Sequence, residues 1–493
     1  MFTLSHIELN QHPILGDICL DLGDNADYGR DVDNIFTTVI IGENGIGKSY
    51  LLSAVVDMFR YLYALKYNEE IPSIRYGFRV AYEVDGYKCE ANCHPQGQHY
   101  DIDNHARNYQ LTVNGNLSDI AVFPVPAYVI ASTMTVADKF VAKSSEHYYY
   151  RGIRNERMFS TTGTRTMVRK IVDGIAEALG NKAATRAELA GFLNELGFDA
   201  SMEIRYGWHY RDVFCDNCES PERLRFVYEH QEQFFPKRDS EIWGTSYFKS
   251  LSEDKIEKVC QYLCRLRDMK GQYGKYAIIY HPFDLDDTLS ADREMIRMLT
   301  NLDILTFPEL KVTKLDDEYN FMESSSGEVQ QFFQFINVLS AIKSNSLVLI
   351  DEPENSSHPN WQMSYVGWLR GIFKMYPSSH FIIATHSHFL LTDLEPSMSR
   401  IVALRKDEDD NKIIDVAEGV NTFCWSCDEI LYKVFRVRNT RNRIFEFKLR
   451  ELYQYIIAGT ANTPEAQALL AELKQYRLSD NDPLAELLKM AEV

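Results

Sequence analysis

The chain has 493 residues, of which 45% are hydrophobic and 25% charged, as in a globular protein of two or three domains. Its formal net charge of −19 excludes non-specific coating of nucleic acid over the whole surface, so any such contact needs a local basic patch. No apolar run approaches the roughly 18 residues of a membrane span, and the first residues do not form a secretory signal. With nine cysteines and no such signal, we expect reduced thiols in the cytoplasm.

The first motif is a glycine-rich loop between a predicted strand and a predicted helix. A β-branched apolar stretch at 38–41 runs into the segment GENGIGKS, and a helical apolar pattern follows it. Its glycines let backbone N–H groups surround a β-phosphate, Lys48 reaches the β- and γ-phosphates, and the Ser49 hydroxyl holds Mg²⁺. The predicted ATP contacts are Gly42, Glu43, Asn44, Gly45, Ile46, Gly47, Lys48, Ser49 and Tyr50.

Two carboxylates follow a second predicted strand. The run at 347–350 is continuously apolar, which favours a buried parallel strand, and Asp351 and Glu352 come directly after it. Ligands of α/β sheets bind at the carboxyl ends of such strands. We therefore predict that Asp351 is a Mg²⁺ ligand and that Glu352 is the general base that activates water.

A third strand, predicted at 381–384, delivers His386 to the same edge of the sheet. A histidine there can contact the γ-phosphate and orient the attacking water, so we predict that His386 is catalytic. His388, two residues later, is expected to be structural.

Small residues and hydroxyls precede another helical pattern, in the stretch ESSSGEVQQ at 323–331. Backbone N–H groups and the helix dipole favour an anion at such a position. The predicted anion contacts are Ser325, Ser326 and Gly327.

The order of these four motifs resembles the ABC-type ATPase head, in the RecF/SMC-like and OLD-like branch. The resemblance covers about residues 1–135 and 311–405 and rests on SSGEVQ, LVLIDEPE and ATHS after the phosphate loop. It implies an α/β P-loop NTPase fold with an antiparallel β subdomain, an inserted helical lobe and a C-terminal helical extension. It also implies a head-to-tail homodimer or higher even oligomer, in which Ser325–Gly327 bind the ATP held by Lys48 of a second copy.

Two positions depart from the family pattern. Ser132 and Thr133 stand where a glutamine that coordinates Mg²⁺ is usual, and Ser357 stands where an apolar residue is common. No role is assigned to Ser357. The predicted domains are 1–140 and 311–420 for the two halves of the ATPase head, 141–310 for a mainly helical lobe, and 421–493 for a helical extension that docks a partner or nucleic acid.

Several other patterns leave alternatives open. The stretch DLDD at 284–287 matches a phosphatase nucleophile loop, but Glu323 lies only 34 positions after Leu289, so an acidic helix start is the better interpretation. The pairs Cys215/Cys218 and Cys424/Cys427 are too far apart for a zinc ribbon.

Two basic clusters could bind nucleic acid or a partner, or could equally be solvated helical faces. The first cluster lies in the C-terminal segment 421–493, and the second follows the predicted mid-domain strand. Their residues are Arg436, Arg438, Arg441 and Arg443, and Arg151, Arg154 and Arg157.

No Toprim or HNH nuclease pattern accompanies the ATPase motifs. Softer resemblances, in stretches such as YYYRGIRN and EPENSSHPNWQ, are to stand-alone ATPases of bacterial anti-phage defence, of the Septu-type and retron-associated kinds. That likeness implies an ATPase that regulates a separate effector, often an HNH nuclease. The alternative is a RecF-like repair ATPase that binds DNA directly.

Overall fold

A computed structural model describes residues 1–23, 31–94, 100–102, 105–154, 164–180, 183–235, 244–269, 272–284, 288–315, 317–407, 412–417, 420–437 and 442–476. Its contacts divide the chain into two units, Met1–Ile430 and Leu431–Val493. None of the helices in these ranges is both long enough and apolar enough to cross a bilayer.

A 13-stranded sheet dominates the first unit, in the order β11-β10-β16-β17-β3-β18-β19-β2-β1-β4-β5-β8-β9. Its strands are β1 Phe2–His12, β2 Gly16–Asp21, β3 Phe36–Gly42, β4 Gly77–Val84, β5 Tyr87–Cys93, β8 Tyr109–Val113, β9 Asn116–Leu117, β10 Val129–Thr133, β11 Tyr148–Gly152, β16 Leu347–Asp351, β17 His380–Ala384, β18 Ser399–Lys406 and β19 Ile413–Asp415. The remaining strands are β6 Tyr100–Ile102, β7 His105–Arg107, β12 Met202–Gly207, β13 Tyr276–Tyr280, β14 Glu309–Lys314 and β15 Asp317–Asn320.

The large sheet has a parallel half and a mainly antiparallel half. From β11 to β18 every neighbouring pair is parallel, and β10, β16 and β17 are buried along their whole length. From β2 to β9 the neighbours are antiparallel, and β4 alternates between buried and half-buried residues. Continuous apolar strands fit a sheet covered on both faces, whereas alternation fits one covered face.

Fourteen α-helices lie in the described residues. They are α1 Lys48–Tyr67, α2 Thr164–Leu179, α3 Ala183–Glu195, α4 Arg211–Asp216, α5 Pro221–Glu229, α6 Gln231–Phe234, α7 Thr245–Lys249, α8 Glu253–Asp268, α9 Leu289–Asn301, α10 Ser326–Ala341, α11 Pro359–Phe373, α12 Cys427–Lys433, α13 Arg443–Ile457 and α14 Pro464–Lys474. Helix α1 packs into the main core, where Phe59 meets Phe2 and Tyr82 at ring distances of 5.9 and 5.4 Å.

The inserted region differs in part from its prediction as a mainly helical lobe at 141–310. Helices α2 to α9 lie in it, but β11 joins the large sheet beside β10, so the parallel half continues past residue 140. Strands β12 and β13 form a second sheet with β14 and β15, in the order β13-β12-β14-β15. Pairing between β12 and β14 therefore crosses the predicted boundary at 310.

The α/β P-loop fold with an antiparallel subdomain and inserted lobe agrees with the sequence prediction. In the second unit, α13 and α14 pack through a small core of Leu452, Leu470 and Leu473. Their sequence shows why: both helices carry apolar residues at helical spacing on one side, and Thr463 caps α14 by accepting a hydrogen bond from the Ala466 N–H.

Candidate nucleotide-binding site

The glycine-rich loop lies between β3 and α1, as its sequence predicted. Gly45 and Gly47 have φ angles of +80° and +108°, the left-handed region that glycine adopts without strain. A Cβ on Gly47 would lie 2.3 Å from Leu15 Cδ2, so the Leu15 side chain would have to move, and the backbone conformation would be strained for any other residue. This geometry leaves Glu43, Asn44 and Gly45 exposed, with Ile46 buried beneath them.

Lys48, at the first turn of α1, is almost fully buried. Its Nζ donates to the Gly42 carbonyl at 2.9 Å and lies 2.8 Å from His386 Nε2. Burial lowers the pKa of Lys48 to about 8, against the opposing effect of Glu352 and other nearby carboxylates. The structure thus brings together two predicted catalytic residues that are 338 positions apart in sequence.

The two predicted metal ligands also meet. The Ser49 hydroxyl donates to Asp351 Oδ1 at 3.1 Å, and burial raises the pKa of Asp351 to about 7. A hydroxyl and a carboxylate oxygen this close form the oxygen donor set that Mg²⁺ prefers beside a phosphate. The residues present therefore fit Mg²⁺ and the phosphates of ATP, and a bound cation would favour the ionised form of Asp351.

Glu352 follows Asp351 with a φ angle of +50°, and its N–H bonds the Ala384 carbonyl at 2.8 Å. Its Oε1 lies 3.8 Å from His386 Nε2, and its Oε2 accepts from Asn355 Nδ2 at 3.1 Å. A left-handed conformation in a non-glycine residue costs free energy and is often found at functional sites. The carboxylate is consequently held next to the histidine predicted to orient water.

His386 is half-buried, and its pKa is lowered by burial and by the nearby Lys48 charge. Its backbone N–H donates to Glu354 Oε1 at 2.6 Å. Burial raises the pKa of Glu354, although this hydrogen bond opposes the effect. Glu354 was not among the predicted site residues, yet it lies two positions after Glu352 and was visible in the motif DEPE.

The segment Ser325–Gly327 forms the start of α10, where Ser325 and Ser326 are exposed. The Ser325 Oγ accepts from the Glu328 N–H at 3.3 Å, and the Ser325 N–H donates to Glu328 Oε2 at 2.8 Å. This capping box gives hydrogen-bond acceptors from the same chain to two backbone N–H groups at the start of α10. The assignment of these residues to a nucleotide bound by a second copy stays a prediction.

The mid-domain strand lies where the family resemblance placed it, because Thr133 of β10 pairs with Asp351 of β16. A carboxylate that the sequence analysis missed follows this strand: Asp138, whose side chain is fully buried. It accepts hydrogen bonds from Tyr150 Oη at 2.9 Å and Arg154 Nε at 2.9 Å, and it raises the pKa of Asp351. A buried carboxylate whose charge is balanced by Arg154 therefore lies near the site that lacks the usual glutamine.

Tyr50, the last predicted nucleotide contact, is half-buried with Lys139 Nζ 5.3 Å from its ring centroid. His388, expected to be structural, packs on the Phe389 ring at 4.0 Å, and burial lowers its pKa. Ser357, to which no role was assigned, accepts a hydrogen bond from Gln331 at 2.7 Å.

The cysteines are all free, and all nine lie in the described residues. Cys218 Sγ lies 3.3 Å from Cys264 Sγ, a neighbour that the sequence pairing did not anticipate. Within the described ranges, the compact groups of possible metal ligands include none of the four cysteines considered for zinc.

The basic cluster after the mid-domain strand is paired within the chain. Arg151 contacts Glu177 at 3.4 Å, and Arg154 bonds Asp138, so both residues make ion pairs within the chain while their side chains stay partly exposed. Arg157 lies outside the described residues. In the C-terminal cluster, Arg436 and Arg443 are exposed, while Arg438 and Arg441 also lie outside the described residues.

Residues 266–392 match the family model described as "AAA domain, putative AbiEii toxin, Type IV TA system". The match spans the second half of the site, from α8 to the end of the His386 loop. A search of curated proteins found no match.

Solved structures with partial likeness include SMC head domains. The Smc head with an extended coiled coil bound to the C-terminal domain of ScpA, from Pyrococcus furiosus, is 12% identical with a TM-score of 0.32 and covers 89% of this chain and 100% of that one. The SMC head from Thermotoga maritima is 10% identical with a TM-score of 0.34 and covers 84% and 98%.

Proposed function

We propose that the chain is an ABC-type ATPase that binds ATP and Mg²⁺, dimerises head-to-tail and regulates a separate effector, either an HNH-type nuclease or another toxin, in bacterial anti-phage defence. The observation that supports the ATPase is the convergence of Lys48, Ser49, Asp351, Glu352 and His386 at one edge of the parallel half-sheet. The defence role rests on the sequence resemblance alone, whereas a place in the cytoplasm rests on the nine cysteines and the first residues of the sequence.

The chemistry follows from these positions. Lys48 and the loop N–H groups bind the phosphates, while Ser49 and Asp351 hold the cation that neutralises their charge. Glu352 accepts the proton of the attacking water, and His386, whose pKa is lowered by burial and by the Lys48 charge, orients that water. Ser325–Gly327 of a second copy complete the site, so an isolated protomer hydrolyses ATP poorly.

Solution mass, measured by light scattering with and without ATP, tests this proposal. Glu352→Gln keeps the shape of the side chain but removes the base, so it should slow hydrolysis by about 100-fold and accumulate ATP-bound dimers. Lys48→Ala should prevent those dimers. If Glu352→Gln hydrolyses ATP at the wild-type rate, the assignment of the general base is wrong.

Co-expression with the product of the adjacent open reading frame tests the effector. Co-purification on an ATP-stabilised oligomer supports regulation of a partner. A chain that runs alone, dimerises with ATP and is stimulated by DNA ends supports the RecF-like alternative instead. Loss of that stimulation in Arg436→Ala and Arg443→Ala would then locate the DNA contact.

A further inference from the structure

The turn after β16 connects two parts of the candidate site through side-chain hydrogen bonds. On one side is α10, which begins at the predicted trans-acting segment Ser325–Gly327. On the other is the loop that carries His386. The turn lies between them and contains the left-handed residues Glu352 and Ser356, with φ angles of +50° and +60°.

The first contacts join α10 to the turn. Gln331, only 2% exposed, donates from Nε2 to the Pro353 carbonyl at 3.0 Å and to Ser357 Oγ at 2.7 Å. Gly327 packs on the same turn so closely that a Cβ there would lie 2.8 Å from the Ser356 carbonyl. The start of α10 is thus in contact with the turn through both residues.

The next contacts join the turn to the histidine loop. Gln362 of α11 donates to the Ser357 carbonyl at 2.8 Å and accepts from Ser387 Oγ at 2.5 Å. Ser387 is 6% exposed and follows His386 directly. Glu354, inside the turn, accepts from the His386 N–H at 2.6 Å. The loop is therefore held at two adjacent residues by groups that the turn positions.

We propose that Gln331, Ser357, Gln362 and Ser387 form a relay of positioning residues, which sets the orientation of His386 according to the phosphate occupancy of the α10 terminus. Buried hydrogen-bonded networks hold one arrangement, because a lost partner leaves a buried polar group unsatisfied. The inference rests on the proposed ATPase function. In the head-to-tail dimer, the relay reports one ATP to the histidine that faces the other.

The ends of the relay give the sharpest test, because Gln331 and Ser387 make no direct hydrogen bond to each other in the described contacts. We expect Gln331→Met and Ser387→Ala each to lower kcat for ATP by about 3- to 10-fold, with KM changed by less than about two-fold. The double variant should be no slower than the slower single one, because both changes break the same path. Effects that multiply, or a kcat that stays at the wild-type value, would overturn the relay.

Ser357 separates positioning from a general structural role. Ser357→Ala should lower kcat with an unchanged thermal midpoint, and Ser357→Thr should restore kcat because it returns the hydroxyl that Gln331 contacts. Ser364→Ala is the matched control, since this serine also lies close to the turn in sequence, on α11. Its hydroxyl donates to the Asn360 carbonyl at 3.2 Å, and neither residue belongs to the relay. A threonine variant as slow as the alanine variant contradicts the proposal, even if Gln331→Met fails to fold.

Lys48→Ala distinguishes the relay from the function on which it depends. If Lys48→Ala abolishes turnover and the relay variants keep the wild-type rate, only the relay is wrong. If Lys48→Ala also keeps the wild-type rate, both the ATPase site and the relay are wrong.

Discussion

The two halves of the large sheet use the same kind of element but place their polar side chains differently. In the parallel half, β3, β16 and β17 end at one edge, and the residues after them meet there: Lys48, Asp351 and His386. In the antiparallel half, polar residues form a ladder across a face instead. There Arg79 bonds Glu8 at 2.8 Å and Glu90 at 2.7 Å.

The difference follows from strand direction. Parallel neighbours bring several strand C-termini to one edge, so distant sequence segments can build one concave site. Antiparallel neighbours alternate their ends, and side chains of one face then pair across strands. Changes at the parallel edge should therefore affect hydrolysis, whereas changes in the ladder should affect stability alone.

The largest effect is expected for Lys48→Ala. The variant removes the buried cation that contacts the phosphates, so ATP hydrolysis should fall by at least about 100-fold. Lys343→Ala is its control, because Lys343 precedes β16 at the opposite edge and packs on the Tyr128 ring at 4.6 Å. Steady-state phosphate release measures both. Equal rates for the two variants would show that the two edges of the parallel half-sheet do not differ in their contribution to hydrolysis.

The contiguous part of this site could be predicted from sequence, since strand, loop and helix adjoin in the phosphate loop. The helical pattern predicted in the stretch 323–331 is the start of α10, and the strands predicted at 347–350 and 381–384 are β16 and β17. The expected antiparallel β subdomain and the helices expected in the inserted lobe also agree with the structure. These features depend on local periodicity, which a single sequence contains.

Contacts between distant segments could not be predicted in the same way. Glu354 reaches the backbone of His386 and Asp138 compensates Arg154 only because parallel strands bring their loops together. Arg151 lies in a basic and aromatic stretch of sequence that is typical of a surface cluster, yet its side chain forms an ion pair with Glu177 of α2. Residue type gave no measure of burial here, because long basic side chains suit either a solvated face or an internal ion pair.

An intermediate effect is expected on stability at the parallel edge. The folded pKa of Asp351, about 7, lies above the usual aspartate pKa of 3.8, so the folded state binds this proton more tightly than the unfolded state does. The free energy of unfolding therefore falls as pH rises from the usual aspartate pKa to about 7. Above pH 7 the folded state carries the full cost of the buried charge. It amounts to a few kcal/mol at most, at about 1.4 kcal/mol per pKa unit.

Asp351→Asn should consequently raise the thermal midpoint of the nucleotide-free protein in EDTA at pH 8, while it abolishes Mg²⁺-dependent hydrolysis. The gain should shrink toward pH 4, where wild-type Asp351 is protonated in the folded state. Asp317→Asn, at an exposed position of β15, is the control and should show no such trend. A variant less stable than wild type at pH 8 would mean that the carboxylate is not penalised by burial.

The smallest effect is expected in the antiparallel half, for Arg79→Met. Its ion pairs with Glu8 and Glu90 are partly exposed, and such pairs each contribute about 0.2–1 kcal/mol. The hydrogen bonds of His6 and Arg79 hold the pKa of Glu8 below its usual value, although burial opposes them. Loss of Arg79 removes both pairs and should therefore lower the free energy of unfolding by no more than about 2 kcal/mol, measured in urea.

The same variant should hydrolyse ATP at the wild-type rate, because no residue of the ladder lies at the edge where β3, β16 and β17 end. Added salt should reduce the stability difference, since exposed ion pairs are screened. A loss of hydrolysis of ten-fold or more, without a matching loss of folded protein, would show that the two halves are coupled. The distinction between an edge that carries the chemistry and a face that carries only stability would then fail.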